Sequence, residues 1–361
     1  MHKRLPQTQI RACRQPFSGI ITGESSGVRC LPRIFSAFRF KPCFRIFPIP
    51  VSNFLQFVLQ SVFKEIIRTK DNSMKTIGFI GLGLIGGSLA KTIRRTHPEI
   101  RLIAWDPEET ALKQAFSEGT VQKTCPGITE DFAACDCIFL CTAASDAEEL
   151  LPQIKAVMRP DALITDTCSV RSGIHEKAEE AGLSGCFIDG HPMAGSGETG
   201  YAASTDRLFE NAWYVLTPGG DVPVRRVSDF SEFISSIGAL PAVMSCEEHD
   251  YMTAAAEDLP YLLSASRINM LGALGGPGSS PGIAAGSPAD MKELSVSDPE
   301  RWADRLLANS DNICEILDAF NRKLTDFRFV IRNGDRKKLL QYLTDCRSFA
   351  ERCCHTKDTE D

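Results

Sequence analysis

A glycine-rich turn between a short apolar strand and a helix constrains the fold of this chain more than any other feature. The stretch Met74–Leu89 reads MKTIGFIGLGLIGGSL, and Gly81, Gly83 and Gly86 have the spacing G-x-G-x-x-G. In such a turn the first glycine permits the tight bend, the second lets the backbone approach a pyrophosphate, and the third lets helix and strand pack closely. The helix N-terminus then offers N–H groups and the positive end of its dipole to phosphates.

The residues around the turn strengthen a motif that is weak by itself. Leu84 and Ile85 open the predicted helix, and a second strand, RLIAW, ends in Asp106. An acidic side chain about 20 residues beyond the last glycine accepts hydrogen bonds from a ribose 2′-OH and repels a 2′-phosphate. The pattern therefore predicts a dinucleotide site that prefers NAD to NADP. The alternative is a phosphate-free turn in which Asp106 only caps the next helix.

Strand and helix patterns alternate from residue 74 to about residue 166, which predicts a mainly parallel, doubly wound sheet of Rossmann type. Further strand signals continue this sheet at 186–188, 213–216 and 242–244. We therefore expect an NAD-binding α/β domain over residues 74–244.

Only helical patterns follow Cys246, roughly over 246–274, 298–330 and 334–354. A Gly/Pro/Ser-rich stretch at 272–288 interrupts them and is interpreted as a connecting loop. We expect residues 245–355 to form an all-α domain that closes the substrate site and forms a dimer.

The first 73 residues differ in composition from the rest of the chain. They carry twelve Lys/Arg against three Asp/Glu, although the net charge of the whole chain is −6. An arginine-rich, acid-poor leader is typical of an organellar transit peptide, and the alternative is that Met74 is the true start. We prefer the second interpretation, because the first strand begins directly after Met74. Nucleic-acid binding is the third, although the segment contains no recognisable binding module.

Other classes of protein fit the composition poorly. No run approaches the ~18 apolar residues of a membrane-spanning helix, so no membrane association is expected. The fourteen cysteines include no C-x-x-C pair. We interpret them as reduced thiols of a cytoplasmic protein and expect no metal site.

A histidine in a predicted glycine-rich loop, directly after a predicted strand that ends at Gly190, is the main candidate for chemistry. His191 opens HPMAGSGETG, and further motifs surround it at Asp166–Arg171, Leu208–Ala212 and Leu216–Pro218. Together these motifs resemble the prephenate dehydrogenase family. The resemblance is close from Gly78 to about Pro218 and looser through Glu248–Asp250 to the C-terminal helices.

The resemblance implies an NAD-dependent oxidative decarboxylation in tyrosine biosynthesis, in which prephenate gives 4-hydroxyphenylpyruvate, CO₂ and NADH. His191 matches the family's catalytic histidine and would be the base, because imidazole titrates near neutrality. Ser169 matches a serine that orients the histidine and the substrate hydroxyl; alternatively it is an N-cap of the helix that begins near Arg171. The resemblance also implies a cofactor contact at Thr142, substrate contacts at Gly195 and Ser196, and a homodimer.

The chain departs from the family pattern where substrate should bind. The family's Ser-His-Leu-Pro-His segment is replaced by Glu257–Tyr261 (EDLPY), and Glu293 stands at the position of an arginine that pairs with a substrate carboxylate. These acids would repel a dianionic substrate. Lys292 or Arg267 is a hypothetical source of the missing positive charge, with Tyr261 as a further substrate contact.

Three functional alternatives follow from these departures. They are a prephenate dehydrogenase, an arogenate dehydrogenase or dehydrogenase of another substrate, and an NAD-binding paralogue without turnover. Arogenate carries an amino group where prephenate has a keto group, so an acidic site is less unfavourable to it.

Overall fold

The computed structural model describes residues 74–195, 197–274 and 298–355. The predicted leader over 1–73, most of the predicted loop over 272–288, and the candidate residues Ser196, Lys292 and Glu293 lie outside these ranges.

A parallel five-stranded sheet carries the glycine-rich turn. Its strands are β1 (Thr76–Ile80), β2 (Arg101–Trp105), β3 (Lys123–Thr124), β4 (Cys137–Leu140) and β5 (Leu163–Asp166), in the order β3-β2-β1-β4-β5. The helices between and after them are α1 (Leu84–Thr96), α2 (Glu109–Ser117), α3 (Ala144–Val157) and α4 (Ser172–Glu180). This order confirms the predicted Rossmann-type sheet, since the strand order reverses between β1 and β4.

The two faces of the sheet are both buried, which explains its nearly continuous apolar strands. In β1 and β4, alternate residues such as Phe79 and Phe139 pack with α1 on one side, whereas Ile80 and Leu140 belong to the core on the other side. The rings of Phe79 and Phe139 stack with centroids 5.3 Å apart. The sheet is therefore a rigid support whose carboxyl edge carries the loops.

The predicted continuation of this sheet is only partly correct, because the strands after β5 form a separate three-stranded sheet. The second sheet contains β6 (Ile188–Pro192), β7 (Trp213–Pro218) and β8 (Leu240–Val243), in the order β6-β7-β8, with β6 and β7 antiparallel. Helix α5 (Val224–Ser236) connects β7 to β8. A backbone hydrogen bond of 2.8 Å from Ile164 N to Cys186 O joins this sheet to β5. His191 lies inside β6, so its predicted place in a loop after the strand is wrong. Five backbone pairs with β7 extend the strand through Pro192.

The remaining described elements are helical: α6 (Cys246–Thr253), a π-helical turn (Ala254–Asp258), α7 (Leu259–Leu274), α8 (Pro299–Ala308), α9 (Ser310–Arg332) and α10 (Arg336–His355). A capping box of Ser245 and Glu248 begins α6. The single helix predicted over 298–330 is divided at Asn309, because that residue is buried and its Nδ2 donates to the Asp250 carbonyl at 2.8 Å. Among the described helices, none is long and apolar enough to span a bilayer.

Candidate active site

The glycine-rich turn has the geometry that the motif predicts. Gly81 has φ +94°, a conformation that favours glycine, and a Cβ there would lie 2.8 Å from the Cys141 carbonyl oxygen. A Cβ on Gly86 would collide with the carbonyl oxygen of Gly81. Both glycines are therefore required by the close approach of α1 to the ends of β1 and β4.

Gly83 differs from these two glycines, because the protein itself does not require it. Its φ is −71°, and apart from its chain neighbours no atom of the described residues lies within 4 Å of the position that a Cβ would take. Gly83 is the N-cap of α1 and provides no side-chain cap. The first N–H groups of the helix, at Leu84 and Ile85, have no partner within the helix. The space in front of a helix N-terminus fits the pyrophosphate of NAD.

Asp106 lies next to this space and has a structural role as well. Its Oδ2 accepts a hydrogen bond from Leu82 N at 2.6 Å, and its Oδ1 accepts one from Glu108 N at 2.7 Å. A carboxylate has about four lone-pair positions, so these bonds leave acceptor capacity for ribose hydroxyls. Thr142 follows β4 on the other side of the turn, with its backbone nitrogen 3.1 Å from a Cβ placed on Gly81. The predicted cofactor residues thus lie together at the carboxyl edge of β1, β2 and β4.

His191 is buried and hydrogen-bonded to a second histidine. His191 Nδ1 lies 2.9 Å from His249 Nε2, and His249 Nδ1 lies 2.8 Å from Asp250 Oδ1. An ionised carboxylate only accepts hydrogen bonds, so a neutral His249 carries its proton on Nδ1 and accepts at Nε2. His191 must then donate from Nδ1, which leaves its Nε2 without a proton. This arrangement produces a neutral imidazole that can act as a base.

The electrostatic surroundings of His191 favour the same state. Burial lowers the pKa of His191 well below its usual value, and the nearby Arg171, His249 and Arg305 lower it further. The imidazole is therefore neutral at neutral pH, and its free nitrogen can take a proton from a hydroxyl.

Asp250 joins the helical region to the sheet. Its carboxylate accepts hydrogen bonds from Arg171 N at 2.8 Å, from Ser172 N at 3.0 Å and from Ser172 Oγ. Burial alone would raise its pKa, but the hydrogen bonds from His249, Ser172 and the backbone hold that pKa below its usual value. Asp250 therefore caps α4, and the interpretation of Ser169 as that cap is wrong. Ser169 is half-buried in the bend between β5 and α4.

The fully buried Arg171 fixes the strand that carries His191. Its Nη1 donates to Asp166 Oδ1 and to the Gly190 carbonyl, both at 2.9 Å, while Asp166 Oδ1 accepts from Gly190 N at 3.0 Å. Breaking such a buried pair is strongly destabilising, because it leaves an uncompensated charge. The motif Asp166–Arg171 therefore sets the position of β6 relative to the β5–α4 bend.

The acidic segment Glu257–Tyr261 is paired within the helical region. Arg305, on α8, donates from Nε to Asp258 Oδ1 at 2.7 Å and from Nη2 to Glu257 Oε2. The Tyr261 ring stacks on the Trp302 ring with centroids 3.6 Å apart, and the Arg305 guanidinium lies 5.0 Å from the Trp302 centroid. Arg305 therefore offsets one of the two negative charges, which reduces the repulsion of a dianion predicted for Glu257 and Asp258.

Three residues of this site were not assigned roles from sequence. His249 and Asp250 belong to a motif that entered the resemblance only loosely, and Arg305 pairs with acids 47 and 48 positions away. Arg305 follows Trp302 by three residues, so the two side chains share a helix face. This spacing is the sequence signal that could have identified Arg305. Gly195 is exposed, and among the described residues nothing but its chain neighbours lies within 4 Å of the position that a Cβ on it would take.

Comparisons with known proteins agree with this geometry. The family model "Prephenate dehydrogenase, nucleotide-binding domain" matches residues 89–242, and "Prephenate dehydrogenase, dimerization domain" matches residues 245–345. The prephenate dehydrogenase of Lactococcus lactis is 30% identical over 279 residues, which cover 75% of this chain and 75% of the relative.

Two solved structures are also similar to this chain over most of its length. Prephenate dehydrogenase from A. aeolicus, in complex with hydroxyphenyl propionate and NAD⁺, has 26% identity and a TM-score of 0.72 over 79% of this chain and 100% of that chain. Synechocystis arogenate dehydrogenase has 25% identity and a TM-score of 0.68 over 77% of this chain and 99% of that chain. The chain therefore belongs to the prephenate dehydrogenase family and is an NAD-dependent oxidoreductase.

Proposed function

We propose that this chain oxidises and decarboxylates prephenate to 4-hydroxyphenylpyruvate, CO₂ and NADH, with His191 as the base. The observation that carries the proposal is the chain of hydrogen bonds from His191 through His249 to Asp250. It leaves a neutral imidazole nitrogen in a buried place, which is the state that a general base needs near neutral pH.

The protein has few chemical tasks in this reaction. NAD, when bound, accepts the hydride from the ring carbon that bears the hydroxyl. His191 Nε2 takes the hydroxyl proton as the hydride leaves, and the ring carboxylate departs as CO₂, which makes the ring aromatic. The phenolate oxygen then recovers a proton from His191, so the base is regenerated.

The surrounding residues hold the base and the substrate in position. His249 and Asp250 fix the tautomer of His191, and Arg171 keeps its strand in place. Ser169, in the bend after β5, is proposed to orient the substrate hydroxyl, and the segment around Gly195 to contact the substrate. Holding reacting groups in register is a large part of the catalysis in such a site.

An assay of NADH formation tests this proposal. The purified chain is mixed with NAD and either prephenate or arogenate, and NADH absorbance and released CO₂ are followed together. We expect NADH and CO₂ in equal amounts with prephenate. Absence of both products with either substrate, while calorimetry still shows NAD binding, would contradict the proposal.

A second candidate is arogenate, because the helical region holds more acid than base. Glu257 and Asp258 share the single guanidinium of Arg305, and one oxygen of the buried Asp258 carboxylate, Oδ2, has no hydrogen-bond partner among the described residues. An amino group on the substrate would add the second positive charge that Glu257 and Asp258 lack. The similarity to an arogenate dehydrogenase supports the same candidate.

The ratio of kcat/KM for arogenate to that for prephenate separates the two candidates. If Asp258 contacts an amino group, Asp258→Asn should lower this ratio by about tenfold or more, since 1.4 kcal/mol is a factor of ten. Glu257→Gln is the matched control, because it removes a charge from the neighbouring, more exposed acid. Equal ratios in all three proteins would exclude the contact.

We also propose that the chain is a homodimer formed through its C-terminal helices. Large apolar side chains are exposed on α9 and α10, namely Leu324, Phe329, Ile331, Leu340, Leu343 and Phe349. Apolar groups exposed together on neighbouring helices are typical of an interface. Sedimentation equilibrium should give a dimer for the wild type and for Phe116→Glu, at an exposed residue of α2, but a monomer for Phe329→Glu. A wild-type monomer would contradict the proposal.

A further inference from the structure

Three side chains of different chemistry converge beside the candidate active site. They are His175 of α4, Asp189 of β6 and Cys246 at the first turn of α6, and one ligand atom of each lies within 4.8 Å of the others. His175 Nδ1 lies 2.7 Å from Asp189 Oδ2. The three residues belong to three separate elements, so the tertiary fold is what brings them together.

An imidazole, a thiol and a carboxylate form the donor set that zinc takes in proteins. With zinc–nitrogen and zinc–oxygen bonds of about 2.0 Å and zinc–sulfur bonds of about 2.3 Å, the ligand atoms of a tetrahedral site lie roughly 3.3–3.7 Å apart. The present separations are 2.7 Å between His175 Nδ1 and Asp189 Oδ2 and at most 4.8 Å among the three ligand atoms, which brackets the tetrahedral values.

One of the three side chains is incompletely satisfied as it stands. Asp189 is fully buried, and its Oδ1 has no hydrogen-bond partner in the part of the chain that the structure describes, although its Oδ2 is paired with His175. A buried acceptor without a partner is unfavourable by about 1–3 kcal/mol. A cation held between Asp189, His175 and Cys246 would satisfy this oxygen.

Access and outer contacts also suit a metal ion. The His175 side chain is 21% exposed and Cys246 is partly exposed, so an ion can enter from solvent and a water molecule can complete the coordination. On the far side of the ring, His175 Nε2 lies 3.8 Å from Glu179 Oε1. A carboxylate facing the other ring nitrogen is the usual orientation of a zinc-bound histidine.

We propose that His175, Asp189 and Cys246 bind a zinc ion that links α4, β6 and the start of α6. This inference goes beyond the proposed dehydrogenase reaction, which needs no metal. The ion would join the strand of His191 to the helix that carries His249 and Asp250. It would thereby hold the hydrogen-bonded residues His191 and His249 in position. Its role is structural, because none of its ligands belongs to the proposed proton path.

Cobalt substitution of the full chain tests the proposal, with Co²⁺ and Zn²⁺ salts as the probes. The metal-free protein is titrated with Co²⁺, and the absorbance of thiolate-to-cobalt charge transfer and of tetrahedral cobalt is recorded. We expect one equivalent of tetrahedral, sulfur-ligated cobalt, which Zn²⁺ displaces. Cys246→Ser and His175→Gln should weaken zinc binding by about a hundredfold or more, since changes in outer-shell partners alone give 10–100-fold. Cys314→Ser, at an exposed thiol of α9, is the matched control and should bind as the wild type does.

X-ray absorption at the zinc edge needs no variant and tests the same site. The wild type with one equivalent of zinc should show one sulfur at about 2.3 Å and nitrogen or oxygen ligands at about 2.0–2.2 Å. Oxygen-only coordination, or a stoichiometry and affinity that are equal in the wild type and Cys246→Ser, would overturn the proposal. Neither readout depends on turnover, so this result is independent of the dehydrogenase assay.

Discussion

The glycine-rich turn and the helical region around α6 to α8 arrange their polar groups in different ways. The turn presents backbone N–H groups and open space, and its glycines lie close together in sequence. The helical region presents ionised side chains, and its Asp258 and Arg305 are 47 residues apart. A site built from backbone depends on conformation, whereas a site built from side chains depends on partners that the fold brings together.

This difference determines which substitutions each region tolerates. In the turn, a change acts through the space it fills or the backbone it strains, and charge is secondary. In the helical region and around His191, each group is held by a partner on another element, so a single change leaves a second group unpaired. The following predictions separate the two kinds of site.

The largest effect is expected for His191→Asn. Loss of the base should lower kcat by roughly two to four orders of magnitude at neutral pH, because no other side chain replaces the neutral imidazole. NAD affinity should be unchanged, since the turn is built separately. Steady-state NADH formation and calorimetry measure the two quantities. His97→Asn, at the C-terminus of α1, is the control with expected wild-type rates; full activity of His191→Asn from pH 6 to 9 would exclude His191 as the base.

Arg305→Met should destabilise the helical region. Asp258 is fully buried, and losing its cationic partner should lower the free energy of unfolding by about 3 kcal/mol. Denaturant unfolding measures this change. Arg301→Met, one turn earlier on the exposed side of α8, should stay within about 0.5 kcal/mol of the wild type. If both variants are equally stable, the pair with Asp258 contributes nothing.

Gly83→Ala should separate cofactor binding from folding. Its φ of −71° and its open surroundings allow a Cβ, so the unfolding midpoint should not change. The added methyl group lies where the pyrophosphate approaches, and NAD binding should weaken by about tenfold, or 1.4 kcal/mol. Gly220→Ala, at another open glycine, should bind NAD normally. Gly86→Ala should instead lower the midpoint, and normal NAD affinity in Gly83→Ala would contradict the placement of the cofactor.

The smallest effect concerns pH. The pKa of His191 is lowered, so its base form persists at neutral pH and is lost only when the pH falls through that lowered value. The acid limb of kcat should therefore lie below pH 6.5. Arg305→Met removes one of the charges that lower this pKa and leaves two carboxylates, so the limb should move to higher pH. An acid limb above pH 6.5 in the wild type would contradict the assigned environment.

The sequence was informative where structure is local. The turn, Asp106 and nearly every strand could be predicted, because spacing and periodicity specify them directly. The shift of His191 from a loop into β6 was not predictable, since it depends on pairing with β7, more than twenty residues later. The partner of Glu257 and Asp258 was missed for the same reason: an ion pair between separate helices leaves no periodic signal. The capping of α4 by Asp250 is likewise a long-range contact, which made Ser169 the natural but incorrect choice.

The protonation state of His191 tests the central claim most directly. Nitrogen chemical shifts of the ¹⁵N-histidine-labelled chain, assigned with His191→Asn, report which ring nitrogen carries the proton. We predict a neutral His191 at pH 7 with the proton on Nδ1 and none on Nε2, as the hydrogen bonds from His191 to His249 and from His249 to Asp250 require. An imidazolium, or a neutral ring with its proton on Nε2, would contradict His191 as the base.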